Sequence, residues 1–363
     1  MTSSEATTPY SYILPRHRIA QRPVYPPDLA KLLVIKVDPK RNKSEYTLSD
    51  AVFSDFPTLI RGDEIFVFNN SKVIPARLYG KVNDSPVEIL LLKRDETTEV
   101  ISSTVAGSER WLVIARPAKL LQLGSVWTSE SASSLLKATV LEIRANGERV
   151  VEFSVEGDEE VSLLRQKLGT MPIPPYIRNG RADDADLTDY QSCFAKIEGS
   201  VAAPTASLHF TENLVARITE RGARCLSITL HVGLGSVRDL DKGGGSSEEC
   251  YVSDTIWEEL QAHRLHGGRV VAVGTTVVRA LESKACGAIT EKDSTNLLIY
   301  PGHNFKIVDE VVTNFHQPGT SHLLLVEAFL GRELLAASYD HALSSDYRFL
   351  SYGDGMYITR LDY

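Results

Sequence analysis

The sequence has no apolar run long enough to cross a membrane, and only four of its 363 residues are cysteines. A membrane-spanning helix needs about 20 consecutive apolar residues, so the sequence predicts no membrane partner. The cysteines lie far apart and form no C-x-x-C pair, which argues against a zinc cluster and a disulfide framework. Scattered free thiols suit a reducing compartment, so we expect a cytoplasmic protein. The four positions are Cys193, Cys225, Cys250 and Cys286.

An export signal and an excess of positive charge are also missing. The first nine residues are polar and lack the basic-then-apolar order of a signal peptide, which predicts no export. The net charge of -8 repels nucleic acid overall, so an RNA partner would need a local basic patch. Ordinary proportions of hydrophobic and charged residues, 43% and 24%, predict a globular chain, and its length is sufficient for two domains.

The sequence also lacks a complete dinucleotide-binding fingerprint. Gly233-Leu-Gly235 follows a predicted strand, but no third glycine stands at the required spacing. A nicotinamide cofactor is therefore disfavoured.

Residues 75–156 have the pattern of short alternating strands without helices between them. The clearest element is a hairpin, in which residues 138–144 and 149–155 flank Asn146-Gly147, a favoured turn pair. The serine-rich stretch 125–134 is predicted to be a surface loop. This pattern is typical of a small barrel, so we predict an inserted all-β, barrel-like domain at residues 75–156.

The remaining residues, 1–74 and 157–363, are predicted to form a mixed α/β main domain. Strands and helices alternate there, which is the pattern of a sheet covered by helices. The predicted helices span residues 49–59, 161–168, 212–221, 253–263, 276–285 and 323–338. The predicted strands span residues 32–37, 64–68, 225–231, 269–273, 296–300 and 306–312.

Four segments rich in small residues are predicted to meet at one site. They span residues 200–212, 229–236, 272–279 and 313–318, and His209, His231 and His316 each lie in one of them at the end of a predicted element. Imidazole exchanges a proton near neutral pH, so these histidines are candidate acids or bases. Each could instead be a structural residue.

Several polar positions near these segments admit two interpretations. Gly274-Thr-Thr276 could form a sharp turn in which a threonine caps a helix and free amides face an anion, or an ordinary capped helix. Arg279 could add positive charge there or form a surface ion pair. Asn69 and Asn70 could contact a ligand or tie a turn, and Asp354 could accept a functional hydrogen bond or belong to a simple turn.

Seven blocks, in order along nearly the whole chain, resemble the signature segments of the S-adenosylmethionine:tRNA ribosyltransferase-isomerase family. They include Asn70-Ser-Lys-Val-Ile-Pro-Ala-Arg-Leu78, Val201-Ala-Ala-Pro-Thr-Ala-Ser-Leu-His-Phe-Thr211 and Val273-Gly-Thr-Thr-Val-Val-Arg279. The others are Met171-Pro-Ile-Pro-Pro-Tyr-Ile177, Leu230-His-Val-Gly-Leu-Gly235, Thr313-Asn-Phe-His316 and Ser351-Tyr-Gly-Asp354.

The resemblance implies transfer and isomerisation of the ribosyl part of S-adenosylmethionine onto 7-aminomethyl-7-deazaguanine in tRNA, with release of adenine and methionine. The product would be epoxyqueuosine, no metal is implied, and we expect a monomer. The implied catalytic residues are His209, His231, His316 and Asp354. The implied S-adenosylmethionine contacts are Thr205, Gly233, Gly235, Gly274, Thr275, Thr276 and Asn314. The implied RNA or acceptor contacts are Lys72, Arg77 and Arg279.

The chain departs from the family pattern at several positions, which include Asn70, Ser207, Gln317 and Gly319, and one departure removes two histidines. Gly243-Gly-Gly-Ser-Ser-Glu248 stands where the family reads approximately His-Arg-Met-His-Ser-Glu, so Glu248 is kept and both histidines are lost. Glycine cannot exchange protons. Two alternatives therefore stay open: a homologue that uses S-adenosylmethionine on a small-molecule acceptor, and a non-catalytic protein that binds S-adenosylmethionine.

Overall fold

The computed structural model describes residues 10–37, 46–95, 107–233, 247–289 and 293–360. The predicted fold class is confirmed: the described residues form a mixed α/β structure with a closed β-barrel. The chain divides into two compact units. The first comprises residues 1–72, 175–179 and 189–363, and the second comprises residues 73–174 and 180–188. The domain boundaries inferred from the sequence, 75 and 156, stay a prediction.

The strands and helices are numbered in chain order. Those before the barrel are β1 (Lys31–Val37), β2 (Tyr46–Val52), α1 (Phe56–Leu59), β3 (Ile65–Asn69) and β4 (Ser71–Val73). The barrel strands are β5 (Arg77–Val82), β6 (Ser85–Arg94), β7 (Glu109–Arg116), β8 (Val126–Glu130), β9 (Leu135–Ile143) and β10 (Arg149–Glu156). Next come α2 (Val161–Leu168), α3 (Asp186–Asp189), β11 (Ile197–Ser200), α4 (Glu212–Glu220), β12 (Arg224–Leu230) and β13 (Glu248–Tyr251). The last are α5 (Asp254–Leu265), β14 (Val270–Val273), α6 (Thr275–Cys286), β15 (Ser294–Thr295), β16 (Glu310–Asn314), α7 (Ser321–Leu330), α8 (Arg332–Ser344) and β17 (Gly355–Arg360).

The first unit is built on a nine-stranded sheet in the order β15-β13-β12-β3-β14-β16-β17-β1-β2. The four central strands β12, β3, β14 and β16 are parallel, and β17 runs antiparallel to β16. The carboxyl ends of the four parallel strands therefore lie at the same edge as the start of β17.

Strands β3 and β14 are buried at every position, which explains their nearly continuous apolar sequences. Ile65 and Val67 of β3 pack with α6 residues in one core cluster, whereas Phe66 and Phe68 pack with Leu214 of α4 in another. Because side chains alternate along a strand, each strand supplies both clusters. Full burial of each such side chain contributes roughly 1.5–3 kcal/mol, so these strands and their helices hold one edge of the sheet in fixed register.

Most predicted elements of the first unit are confirmed, and three are wrong. Residues 46–52 form a strand, although helix was predicted from residue 49 onward. The structure describes residues 296–300 without a strand, and the predicted helix 323–338 is two helices separated by Gly331, whose φ of 81° interrupts the helical path.

The second unit contains the predicted barrel, closed in the order β10-β7-β6-β5-β8-β9. The predicted hairpin is confirmed as β9 and β10, and Gly147 has the positive φ, 84°, that its turn requires. The predicted surface loop at 125–134 is wrong for its greater part, because Val126–Glu130 forms β8 and Trp127 is fully buried. Every helix that the structure describes is too short or too polar to cross a membrane.

Candidate active site

Nearly all predicted site residues within the first unit lie at the carboxyl edge of its sheet. Strands β12, β14 and β16 end immediately before or within the histidine- and glycine-containing segments, and Asp354 directly precedes β17. Open α/β sheets bind ligands beyond the carboxyl ends of their parallel strands. The structure thus brings the segments 229–233, 272–279 and 313–316 to one edge.

The turn between β14 and α6 exposes the start of a helix at this edge. Gly274 has a φ of 98° and serves as the N-cap of α6 without a side-chain hydrogen bond, so the prediction that a threonine caps this helix is wrong. Thr275 and Thr276 instead form the first turn, and both are buried. The Thr276 hydroxyl is buried and has no hydrogen-bond partner among the described residues. An uncapped helix start favours an anionic group.

Arg279 lies one turn further along α6 and is buried, with 6% of its surface exposed. Its guanidinium forms an ion pair with the buried Glu248 carboxylate, so the surface ion pair considered from the sequence is wrong. The other oxygen of Glu248 accepts a hydrogen bond from the Gly233 amide at 3.1 Å. Arg279 Nη2 is buried without a hydrogen-bond partner in the described parts of the chain. Glu248 therefore links the segment after β12 to α6.

His316 lies beside a second histidine, His322, with ring centroids 5.2 Å apart. Burial, reinforced by His322, lowers the pKa of His316 well below 6.5, and its Nε2 lies 2.8 Å from the Thr313 hydroxyl. Burial and the positive charge of Arg279 lower the pKa of His322 to about 4. Both rings are therefore neutral at pH 7. Within the described residues, Nε2 of His322 is buried without a hydrogen-bond partner.

His231 follows β12 and is partly buried against Gly199. A Cβ atom at Gly199 would lie 2.7 Å from the imidazole, so only glycine lets the ring occupy this position. Burial lowers the pKa of His231, while Glu249 acts in the opposite direction. Its Nδ1 is buried and has no hydrogen-bond partner among the residues described. A neutral imidazole with an unengaged ring nitrogen can accept a proton.

His209 has a different environment, because its ring is fixed within the core. It stacks on Phe53 at a centroid distance of 4.2 Å, and its Nε2 lies 3.2 Å from the Asn314 side-chain amide. Burial and the nearby Arg348 lower its pKa to about 3, against the opposing effect of a hydrogen bond with the Pro27 backbone. Thr205 in turn donates a hydrogen bond to Asn314 at 2.9 Å. These contacts make His209 a neutral residue that orients Asn314.

Asp354 is also engaged by its surroundings. Its carboxylate accepts hydrogen bonds from the backbone amides of Lys31 at 3.0 Å and Arg348 at 2.7 Å. Burial raises its pKa, although these bonds and the Arg348 charge oppose the shift. Asn69 similarly bonds the backbone of Leu230 and Ser71, which supports the turn-tying interpretation. Asn70 accepts from the Thr229 hydroxyl at 2.7 Å.

The remaining predicted positions have other partners or lie outside the described residues. Lys72 is exposed and forms an ion pair with Glu198 at 3.0 Å. Arg77 belongs to the second unit, where it is buried, bonds the Gly180 carbonyl and pairs with Glu88 at 3.2 Å. Gly235 and the departure at Gly243-Gly-Gly-Ser246 lie outside the described residues.

A sequence model of the family described as queuosine biosynthesis protein matches residues 7–358. The chain belongs to this family. An S-adenosylmethionine:tRNA ribosyltransferase-isomerase from Nostoc sp. is 37% identical over 375 residues, which cover 96% of this chain and 90% of the relative. A crystal structure of S-adenosylmethionine tRNA ribosyltransferase from Thermotoga maritima matches with 29% identity and a TM-score of 0.50, covering 96% of this chain and 99% of the other.

Two residues of this site were missed by sequence reasoning. His322 lies outside the four segments predicted to form the site, yet its ring lies next to His316, and the charge of Arg279 helps to lower its pKa. Its position as the second residue of α7, after the segment 313–318, was an available signal. Glu248 was noted only as a retained residue, because an ion pair across 31 positions has no local signature.

Proposed function

We propose that this chain transfers and isomerises the ribosyl moiety of S-adenosylmethionine onto 7-aminomethyl-7-deazaguanine in tRNA, giving epoxyqueuosine, adenine and methionine. The observation that carries the proposal is the family match over residues 7–358, together with the histidines gathered at the sheet edge. The two alternatives, a small-molecule acceptor and a non-catalytic protein, are not favoured, because the relatives compared carry the names of tRNA-modifying transferases. A cytoplasmic location and a monomeric state are part of this proposal.

In this proposal, the donor's methionine carboxylate binds at the start of α6. Gly274, Thr275 and Thr276 supply amide groups and the positive end of the helix dipole. The unpartnered Thr276 hydroxyl and Arg279 Nη2 supply further donors. The rest of the S-adenosylmethionine site is formed by Gly233, Gly235, Thr205 and Asn314. A charge-assisted hydrogen bond to Arg279 would be among the strongest contacts.

The reaction needs a base to remove the proton beside the sulfonium and an acid to assist the departure of adenine. We propose His231 as the base, because its ring is neutral and Nδ1 is unengaged. The proton that His231 accepts makes its ring an imidazolium, which can then donate a proton to the departing adenine. His316 is the alternative, although its Nε2 already contacts Thr313. His209 and Asp354, expected from the sequence to be catalytic, are assigned to positioning in this proposal. Lys72 and Arg77 stay predicted contacts to RNA or the acceptor, whereas Arg279, predicted with them, is buried and is assigned to the methionine carboxylate.

The test is incubation with S-adenosylmethionine and tRNA carrying the aminomethyl-deazaguanine, with adenine, methionine and the nucleoside mass measured by chromatography. We expect all three products only with that tRNA. Release of adenine and methionine without it, or absence of any turnover, would contradict the proposal.

The base assignment is tested by His231→Gln and His316→Gln, compared with His266→Gln. His266 is exposed and directly follows α5. Strand β14 begins a few residues later, so His266 lies toward the amino edge of the sheet, opposite the site, and is a suitable control. We expect His231→Gln to lower kcat by roughly 10²–10⁴-fold, as for loss of general base catalysis. Unchanged turnover in His231→Gln with a large loss in His316→Gln would move the role to His316.

A further inference from the structure

The far end of α6 carries a second cluster of chemically reactive side chains. Glu282, Cys286 and His303 each offer one ligand atom, and these atoms lie within 4.8 Å of one another. Glu282 and Cys286 are four positions apart on α6, so they share one helix face. We propose that these three residues form a binding site for a divalent cation of borderline softness, such as Zn²⁺.

Charge is the first argument for a cation. Glu282 is fully buried, and in the described parts of the chain His303 is the one side chain that forms a hydrogen bond with its carboxylate. A buried carboxylate requires compensation by an opposite charge or by hydrogen bonds. His303 Nε2 lies 3.1 Å from Glu282 Oε2. A cation bound between these two atoms would replace their direct contact.

Second, the hydrogen bonds around the Glu282 carboxylate fix its orientation, as they do for carboxylates that bind metal ions. Glu282 accepts from the backbone amides of Lys306, Ile307 and Val308 at distances between 3.0 and 3.2 Å. Carboxylates that bind metal ions are themselves hydrogen-bonded, which fixes their orientation. The loop that carries His303 is therefore tied to the same carboxylate that would share the cation.

Third, the set of donor atoms selects the kind of cation. Thiolate, imidazole and carboxylate together suit Zn²⁺, with bond lengths near 2.3, 2.0 and 2.0–2.2 Å respectively, and disfavour Mg²⁺ and Ca²⁺. Cys286 is exposed, so its side chain can rotate toward the site and admit a cation from solvent. Water would complete the tetrahedron.

This cation site is separate from the proposed reaction. Cys286 lies eleven helical positions after Thr275 at the carboxyl edge, which places the two about 16 Å apart. The cation would therefore fix the end of α6 against the loop 303–308 and take no part in ribosyl transfer.

The experiment is titration of the tag-free, chelator-treated full chain with Zn²⁺ by calorimetry, and with Co²⁺ by absorption spectroscopy. We expect one Zn²⁺ per chain and a thiolate-to-cobalt charge-transfer band. Cys286→Ala should remove the band and weaken Zn²⁺ binding at least tenfold, and His303→Gln should weaken it similarly while keeping a hydrogen-bond donor for Glu282. Cys193→Ala, which alters another exposed thiol, should bind as the unaltered chain does.

Three results would overturn the site: no Zn²⁺ binding by the unaltered chain, a Co²⁺ complex without the thiolate band, or equal Zn²⁺ affinity in Cys286→Ala. Circular dichroism spectra of the variants provide the folding control. Cys286 is exposed, so its replacement by alanine leaves the core intact.

Discussion

Replacement of His209 by glutamine tests whether this histidine is a buried structural residue. Its ring stacks on Phe53 and contacts Asn314, and its pKa is lowered to about 3, mainly by burial. In the unfolded chain the same side chain has a pKa near 6.5. Between pH 6.5 and pH 3 the unfolded chain therefore binds a proton that the folded chain excludes.

The sign and size of the effect follow from proton linkage. Since the unfolded state binds more protons in this window, stability falls as pH falls, by about 1.4 kcal/mol per pH unit for one such group. Full burial of the ring means that solvent does not screen the effect. From pH 6.5 to pH 5.0 the contribution of His209 should fall by about 2 kcal/mol. His209→Gln has no such group at this position.

The assay is urea unfolding of both proteins at pH 7.5 and pH 5.0, followed by far-ultraviolet circular dichroism. The unaltered chain should be the more stable at pH 7.5, and its advantage over His209→Gln should shrink by about 2 kcal/mol at pH 5.0. Other titrating groups cancel because they occur in both proteins. A difference that stays constant between the two pH values would refute the buried neutral state of His209.

Three further substitutions test the remaining contacts of the site. Gly199→Ala should displace the His231 ring, because the nearest ring atoms would lie 2.7 Å from the added Cβ. We expect kcat to fall roughly 10²-fold while tRNA binding is unchanged. An unaltered kcat would exclude a role for this contact. Gly274→Ala should cost about 1–3 kcal/mol in denaturant unfolding because of its positive φ, since the nearest atoms, at 3.6 Å, leave room for a methyl group. Glu248→Ala should lower the free energy of unfolding by about 3–5 kcal/mol, because it leaves the Arg279 charge buried without its carboxylate partner. Adding Arg279→Met should recover part of this free energy. If the effects of the two substitutions are additive instead, the coupling is contradicted.

Elements with a strong local pattern could be predicted from the sequence. The hairpin of β9 and β10 was predictable because the turn pair Asn146-Gly147 stands between two alternating segments. Helices α4 to α6 also have boundaries that are visible in the sequence. The serine-rich stretch 125–134 was misassigned because its composition resembles a loop, whereas barrel closure pairs β8 with β5 and β9. Tertiary pairing decided that conformation, and local propensity did not.

The site was predictable to the level of its segments but not of its contacts. The sequence indicated that four segments rich in small residues meet at one site, and the structure places three of them at the carboxyl ends of parallel strands. It could not distinguish His209, which the core encloses, from His231, since both adjoin small residues. Burial and the partners of each ring come from contacts across more than 100 positions, such as that between His209 and Asn314.

These contacts also bear on the stretch in which Gly243 and Ser246 stand at the two histidine positions of the family pattern. The residue kept there, Glu248, has a demonstrable structural task, because it joins Arg279 to the Gly233 amide. The two lost imidazoles would matter to the reaction if they exchanged protons or bound a ligand. His231 and the neighbouring pair of His316 and His322 still supply neutral imidazoles at the same edge of the sheet. Loss of two histidines beside a retained Glu248 is therefore compatible with the family reaction, because the scaffold contact persists and proton acceptors remain.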